Sequence, residues 1–135
     1  MNQQTWGGKS PAPVFEDCAD LERAAGRAAP GIFYNQGQGC SAASRIHVHS
    51  SPKPRFVDLM VAQTARYAPG DPLDPESGMG AMVDARQAGR VMRYVNEGRR
   101  AAQSVAGGNA VTIDSAGGFI EPTIFRAMQQ TNAPH

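Results

Sequence analysis

Residues 33–40 read Phe33-Tyr34-Asn35-Gln36-Gly37-Gln38-Gly39-Cys40, which places one thiol directly behind a Gly-Gln-Gly turn. A thiolate that attacks a substrate needs backbone able to come close to it. Glycines at 37 and 39 give a tight path that a side chain would obstruct. The competing reading of a lone cysteine is a small buried hydrophobe, so the surrounding sequence has to decide between the two.

The chain of 135 residues has the length of one domain, enough to bury roughly two thirds of the surface its unfolded form exposes. With 41% hydrophobic residues and a mean hydropathy of -0.41 it reads as globular, while 15 glycines and 10 prolines make it rich in loops. The 13 basic and 12 acidic residues are interspersed, which gives no electrostatic case for nucleic acid. Arg99-Arg100 is the one adjacent basic pair and reads as the solvated end of a helix. No apolar run approaches the ~20 residues of a membrane span, and the N-terminus has no apolar leader core, so a cytoplasmic protein without membrane contact is expected. Two cysteines do not make a disulfide framework, and both are expected reduced.

Outward from the octapeptide, Pro13-Val14-Phe15 is a short strand candidate, and residues 17–21 supply an acidic, capping-prone start to an alanine-rich helix. Pro30-Gly31 should kink or break that helix. Residues 45–49, Arg-Ile-His-Val-His, alternate with the period of a half-buried strand, closed by Ser51-Pro52-Lys53-Pro54. Phe56, Val57, Leu59, Met60, Val61 and Ala65 fall at helical spacing up to Tyr67, and residues 71–78 form a turn-rich loop. A further helix is expected from about Asp84 to Ala102 with Val91, Tyr94 and Val95 inward. Ser104-Val105-Ala106 and the stretch from Phe119-Ile120 to Phe125 are strand candidates around a glycine-rich hairpin or loop. Alternating strands and helices predict an α/β protein, and no internal repeat is visible.

Gly7-Gly8-Lys9-Ser10-Pro11 precedes the octapeptide and Ser44-Arg45 follows it. Together they resemble the aldehyde dehydrogenase superfamily, whose nucleophile motif runs aromatic-aromatic-Asn-Gln-Gly-Gln-x-Cys with an arginine a few residues on. Met79-Gly80-Ala81-Met82-Val83-Asp84, then Gln87 and Val91-Met92-Arg93-Tyr94-Val95, is similar to the family's Met-Gly-Pro-hydrophobic-Val and Gln…Val-x-x-Tyr-Ile stretch. Residues 118–125, Gly-Phe-Ile-Glu-Pro-Thr-Ile-Phe, are similar to its Gly-Tyr-Phe-Ile-x-Pro-Thr-Val-Phe strand. The resemblance implies a truncated aldehyde-dehydrogenase-like catalytic domain, a mostly parallel sheet with flanking helices. It divides the chain into an unrelated start over residues 1–6, a partial catalytic domain over 7–126 and a tail over 127–135. The wording of the nucleophile motif resembles the branch acting on ω-amino aldehydes such as gamma-glutamyl-gamma-aminobutyraldehyde.

By the same resemblance Cys40 is the catalytic nucleophile, forming a thiohemiacetal with the aldehyde substrate and then a thioester. NAD or NADP is the cofactor, contacted by Gln87 and by the backbone of Trp6, and the family assembles as homo-oligomers. The family places a glutamate ahead of Gly-Gly-Lys-Ser to activate the hydrolytic water; Thr5 and Trp6 stand there in this chain, and a threonine hydroxyl is no general base near neutral pH. The family's dinucleotide-binding domain and oxyanion asparagine are expected to lie outside these residues, so the chain alone is expected inactive. A non-catalytic remnant with at most an interaction role is the alternative. Gly78-Met79-Gly80 reads as a turn and not as a phosphate cradle, since it follows a proline-rich loop. His47 and His49 share one strand face but lack a third ligand type nearby, so no metal is expected. Cys18, among Glu16, Asp17 and Asp20, is expected to be less reactive than Cys40. Glu121 reads as structural.

Overall fold

The computed structural model describes residues 10–114 and 116–127. Its elements are β1 (Pro11–Val14), α1 (Leu21–Phe33), β2 (Arg45–Val48), α2 (Lys53–Thr64), α3 (Ala85–Ala101), β3 (Gln103–Ala106), β4 (Ala110–Ile113), β5 (Ala116–Ile120) and β6 (Ile124–Arg126). None of these helices is long and apolar enough to cross a membrane.

The acidic start of α1 works as a cap: Asp20 Oδ1 accepts the Arg23 N–H at 2.8 Å, satisfying a donor that the first helical turn leaves free. Ala25, Ala29 and Phe33 then repeat at a spacing of four and are buried, which makes a narrow apolar stripe with small residues where a second helix can come close. That helix is α2. It starts at Lys53-Pro54, where prolines are tolerated because first-turn N–H groups lack helical acceptors anyway, and it buries Phe56 and Met60 against α1. Met79 completes this cluster, Phe33 and Tyr67 stack tilted with ring centroids 5.5 Å apart, and Val14, Ile46 and Val48 press on it from the strands. β1 and β2 pair in parallel, Pro11 opposite Arg45 through Val14 opposite Val48.

The expected break at Pro30 does not occur there. Pro30 lies inside α1 on its exposed side, and the helix continues past it to Phe33. The last turn is held by Tyr34 N–H to Pro30 O and by Ala43 N–H to Gly31 O at 3.1 Å, and the chain leaves the helix after Phe33.

In α3, Asp84 Oδ1 accepts the Gln87 N–H at 2.6 Å and Val95 is buried, but Tyr94 is 62% exposed instead of inward. The buried stripe of α3 is narrow, with Val91 and Met92 only half-buried beside Val95. The Tyr94 ring instead lies 5.6 Å from the Arg93 guanidinium carbon, a cation–π contact at the surface.

The α/β class of a catalytic-domain segment holds, while the mostly parallel sheet does not: β3–β6 and β4–β5 are antiparallel and only β1–β2 is parallel. A short connection accounts for one of these pairs: two residues join β4 to β5, and a parallel crossover needs a dozen or more. β3 and β6 are brought together from either side of that hairpin, across residues 107–123. The stretch expected as one strand is two, β5 and β6, separated at Glu121-Pro122-Thr123, since proline cannot donate to a ladder. β4 lies where a loop or hairpin arm was expected.

Candidate active site

Directly after α1 the backbone turns left-handed for three residues in succession. Asn35 (φ 48°, ψ 44°), Gln36 (φ 57°, ψ 27°) and Gly37 (φ 70°) make a tight turn that Gln38 N–H closes onto Asn35 O at 3.0 Å. Only Gly37 is a glycine among them. A Cβ there would stand 3.2 Å from Ile32 O, on a backbone that side chains rarely adopt. Gly39 differs: its Cβ direction is open, and its O accepts the Ala42 N–H at 3.1 Å. Cys40 sits exposed inside that second turn. Its N–H makes no main-chain hydrogen bond among the described residues, which leaves the thiol and an amide donor side by side at the loop tip.

The loop is tied to a distant stretch of chain. With the Gln36 amide oriented to satisfy both its ends, its oxygen accepts the Gly80 N–H at 3.1 Å and its nitrogen donates to Asn35 O and Oδ1, each at 3.1 Å. Gln38 Oε1 accepts the Val83 N–H at 3.4 Å. Met82 N–H in turn donates to Gly118 O at 2.8 Å. Motifs that lie far apart in sequence thus meet in space: the octapeptide, residues 79–83 and the strand at 118–120.

The sequence profile described as "Aldehyde dehydrogenase family" matches residues 3–133. The chain belongs to the aldehyde dehydrogenase family. It is similar to the crystal structure of gamma-glutamyl-gamma-aminobutyraldehyde dehydrogenase from Burkholderia cenocepacia, with a TM-score of 0.85 and 48% identity over 88% of this chain and 24% of that one. An NAD+ complex of aldehyde dehydrogenase from Bacillus cereus matches with a TM-score of 0.80 and 40% identity, again over 88% and 24%. Betaine aldehyde dehydrogenase of Brucella ovis is 40% identical over 129 residues, 93% of this chain and 26% of that protein. The chain spans about a quarter of the length of these relatives.

Within this family frame the other site candidates divide. Gln87 is half-buried in the first turn of α3, its N–H engaged by Asp84, and the neighbouring Val83 links that helix start to the Cys40 loop. Trp6 and Thr5 lie outside the described residues. Cys18 is half-buried and its N–H bonds Phe15 O at 3.3 Å. His49 Nδ1 stands 3.4 Å from Glu16 Oε2, and among the described residues no group of three or more His, Cys, Asp or Glu is placed to hold a metal. Gly78 has Arg66 O only 2.1 Å from where its Cβ would be, so Gly78-Met79-Gly80 is a close main-chain packing site and not a cradle.

Glu121 is structural, its Oε2 accepting from Asn109 Nδ2 at 2.8 Å and from Asn109 N–H at 3.2 Å. Sequence reasoning missed the partner of this carboxylate network: Arg99 donates to Gly108 O at 2.7 Å and to Asn109 Oδ1 at 3.0 Å, and is more than a solvated helix end. The signal available was Gly107-Gly108-Asn109, a turn whose carbonyls need donors. A cavity of about 640 Å³ opens between β2, α2 and β6, lined by Ile46, Val48, Phe56, Met60 and Ile124 among others; neither Cys40 nor Gln87 lines it. The described residues therefore do not by themselves fit a dinucleotide, since Gln87 is the single candidate contact they contain and adjoins no such cavity.

Proposed function

We propose that this chain carries the nucleophile of an NAD(P)-dependent aldehyde dehydrogenase, with Cys40 attacking the aldehyde. The observation that supports this most is the setting of Cys40: an exposed thiol whose own N–H makes no main-chain hydrogen bond among the described residues, on a turn fixed by contacts to residues 80 and 83. In its thiolate form Sγ adds to the carbonyl carbon, the C=O π pair moves onto oxygen, and the Cys40 N–H donates to the oxyanion so formed. The hydride acceptor of the family would be NAD or NADP, for which Gln87 is the single candidate contact among the described residues, and no step through it is assigned to this chain. Identity of 48% with gamma-glutamyl-gamma-aminobutyraldehyde dehydrogenase supports an ω-amino aldehyde as the substrate class.

A second reading is a chain that keeps the nucleophile loop but does not turn over. Thr5, at the position of the family's water-activating glutamate, favours it. One experiment covers both. The purified chain, given p-nitrophenyl acetate, is expected to release one equivalent of nitrophenolate and to carry the acetyl group on Cys40, with both lost in Cys40→Ala. An unmodified Cys40 overturns the nucleophile assignment. Steady NADH production from an ω-amino aldehyde and NAD by the same chain overturns the second reading.

A further inference from the structure

We infer that Gln36 and Gln38 are positioning residues that hold the Cys40 loop in register, an inference that rests on reading Cys40 as the nucleophile. Left-handed backbone costs a residue with a side chain about 1–2 kcal/mol, and Asn35 and Gln36 both adopt it directly before Gly37. Such a conformation persists only where its surroundings over-determine it. The surroundings here are two glutamine side chains reaching from the loop to the main chain of residues 80 and 83.

The two are not equivalent. Gln36 uses both ends of its amide: the oxygen takes the Gly80 N–H at 3.1 Å, and the nitrogen faces two oxygens of Asn35 at 3.1 Å. A carboxylate in its place would set like against like. Gln38 turns its oxygen toward the Val83 N–H at 3.4 Å, while its nitrogen lies 3.3 Å from the end of the Gln36 amide that serves as donor, so a carboxylate, accepting on both sides, serves there as well. Gln36 is therefore chemically specific as an amide, and Gln38 is required only as an acceptor.

The test is to make Gln36→Met, Gln36→Glu, Gln38→Met and Gln38→Glu in the full chain. Amide hydrogen exchange is read at Gly80 and Val83, with α2 amides as the folding control, beside the rate of Cys40 acetylation by p-nitrophenyl acetate. At neutral pH both Gln36 variants are expected to lower Gly80 protection about tenfold and to slow acetylation by a similar factor. Gln38→Met is expected to do the same at Val83, while Gln38→Glu keeps both. Below the ordinary glutamic acid pKa of about 4.3 the protonated Gln36→Glu side chain can donate again, so Gly80 protection should return as pH falls through that range. If Gln36→Met loses α2 protection as well, that pH titration decides. Wild-type protection in Gln36→Glu at neutral pH, or lost protection with unchanged acetylation, overturns the positioning role. Absence of acetylation in the wild type overturns the nucleophile reading instead, and the exchange pattern alone then decides whether the clamp exists.

Discussion

Gly37 and Gly39 flank the same glutamine, yet a methyl group at each meets different surroundings. Gly37→Ala should destabilise the chain by about 1–2 kcal/mol, because φ is 70° and Ile32 O is 3.2 Å away. Gly39→Ala, in open space without a left-handed backbone, should leave stability unchanged or raise it by up to about 1 kcal/mol. Urea midpoints of the two variants check this, and equal losses would show that the turn is not as described. The sequence marks this loop by its glycines, but it cannot say which of them is needed, since that depends on where Ile32 O ends up. The two thiols separate in the same manner. Cys40 is exposed and Cys18 half-buried, so limiting iodoacetamide with mass mapping should label Cys40 first. Preferential labelling of Cys18 would remove the chemical case for the loop.

Helix α3 carries two glycines with opposite meanings. Gly89 faces open space, and Gly89→Ala should stabilise by up to about 1 kcal/mol through helix propensity. A Cβ at Gly98 would stand 2.7 Å from the Phe125 ring of β6, and Gly98→Ala should cost about 1–3 kcal/mol by overpacking. Thermal midpoints moving in opposite directions are the expected result. The helices were legible because their signals are local: the capping-prone residues 17–21, borne out by the Asp20 cap, and the helical spacing that includes Phe56 and Met60. The strands were less so. β4 has four residues, and its pairing with β5 depends on contacts such as Glu121 N–H to Asn109 O at 3.0 Å that no local pattern announces. Pro30 misled for a related reason: it falls on the exposed side of α1, and the Tyr34 N–H still bonds Pro30 O and closes the last turn beyond it.

At the scale of the molecule, the described strands form three separate two-stranded pairs, and Phe15, Tyr34, Leu73, Val83 and Tyr94 are large apolar residues more than 60% exposed. Two-stranded ribbons are marginal in water and exposed apolar surface favours association, so the purified 135-residue chain should self-associate and bind a hydrophobic dye. A concentration-independent monomer on size exclusion, with no dye binding, would contradict this. The family was legible from four short motifs, and the meeting of residues 80 and 83 with the nucleophile loop was not, because hydrogen bonds between a side chain and remote backbone leave no periodicity. The parallel pairing of β1 with β2 also depends on the helices packed beneath it. Residues 15–44 must be closed into a loop before Val14 finds Val48, a length-dependent entropy cost of about 3 kcal/mol that the four-residue ladder alone does not offset. Val14, Ile46 and Val48 rest on the cluster built by Phe33, Phe56 and Met60, so burial against α1 and α2 supplies what the ladder lacks.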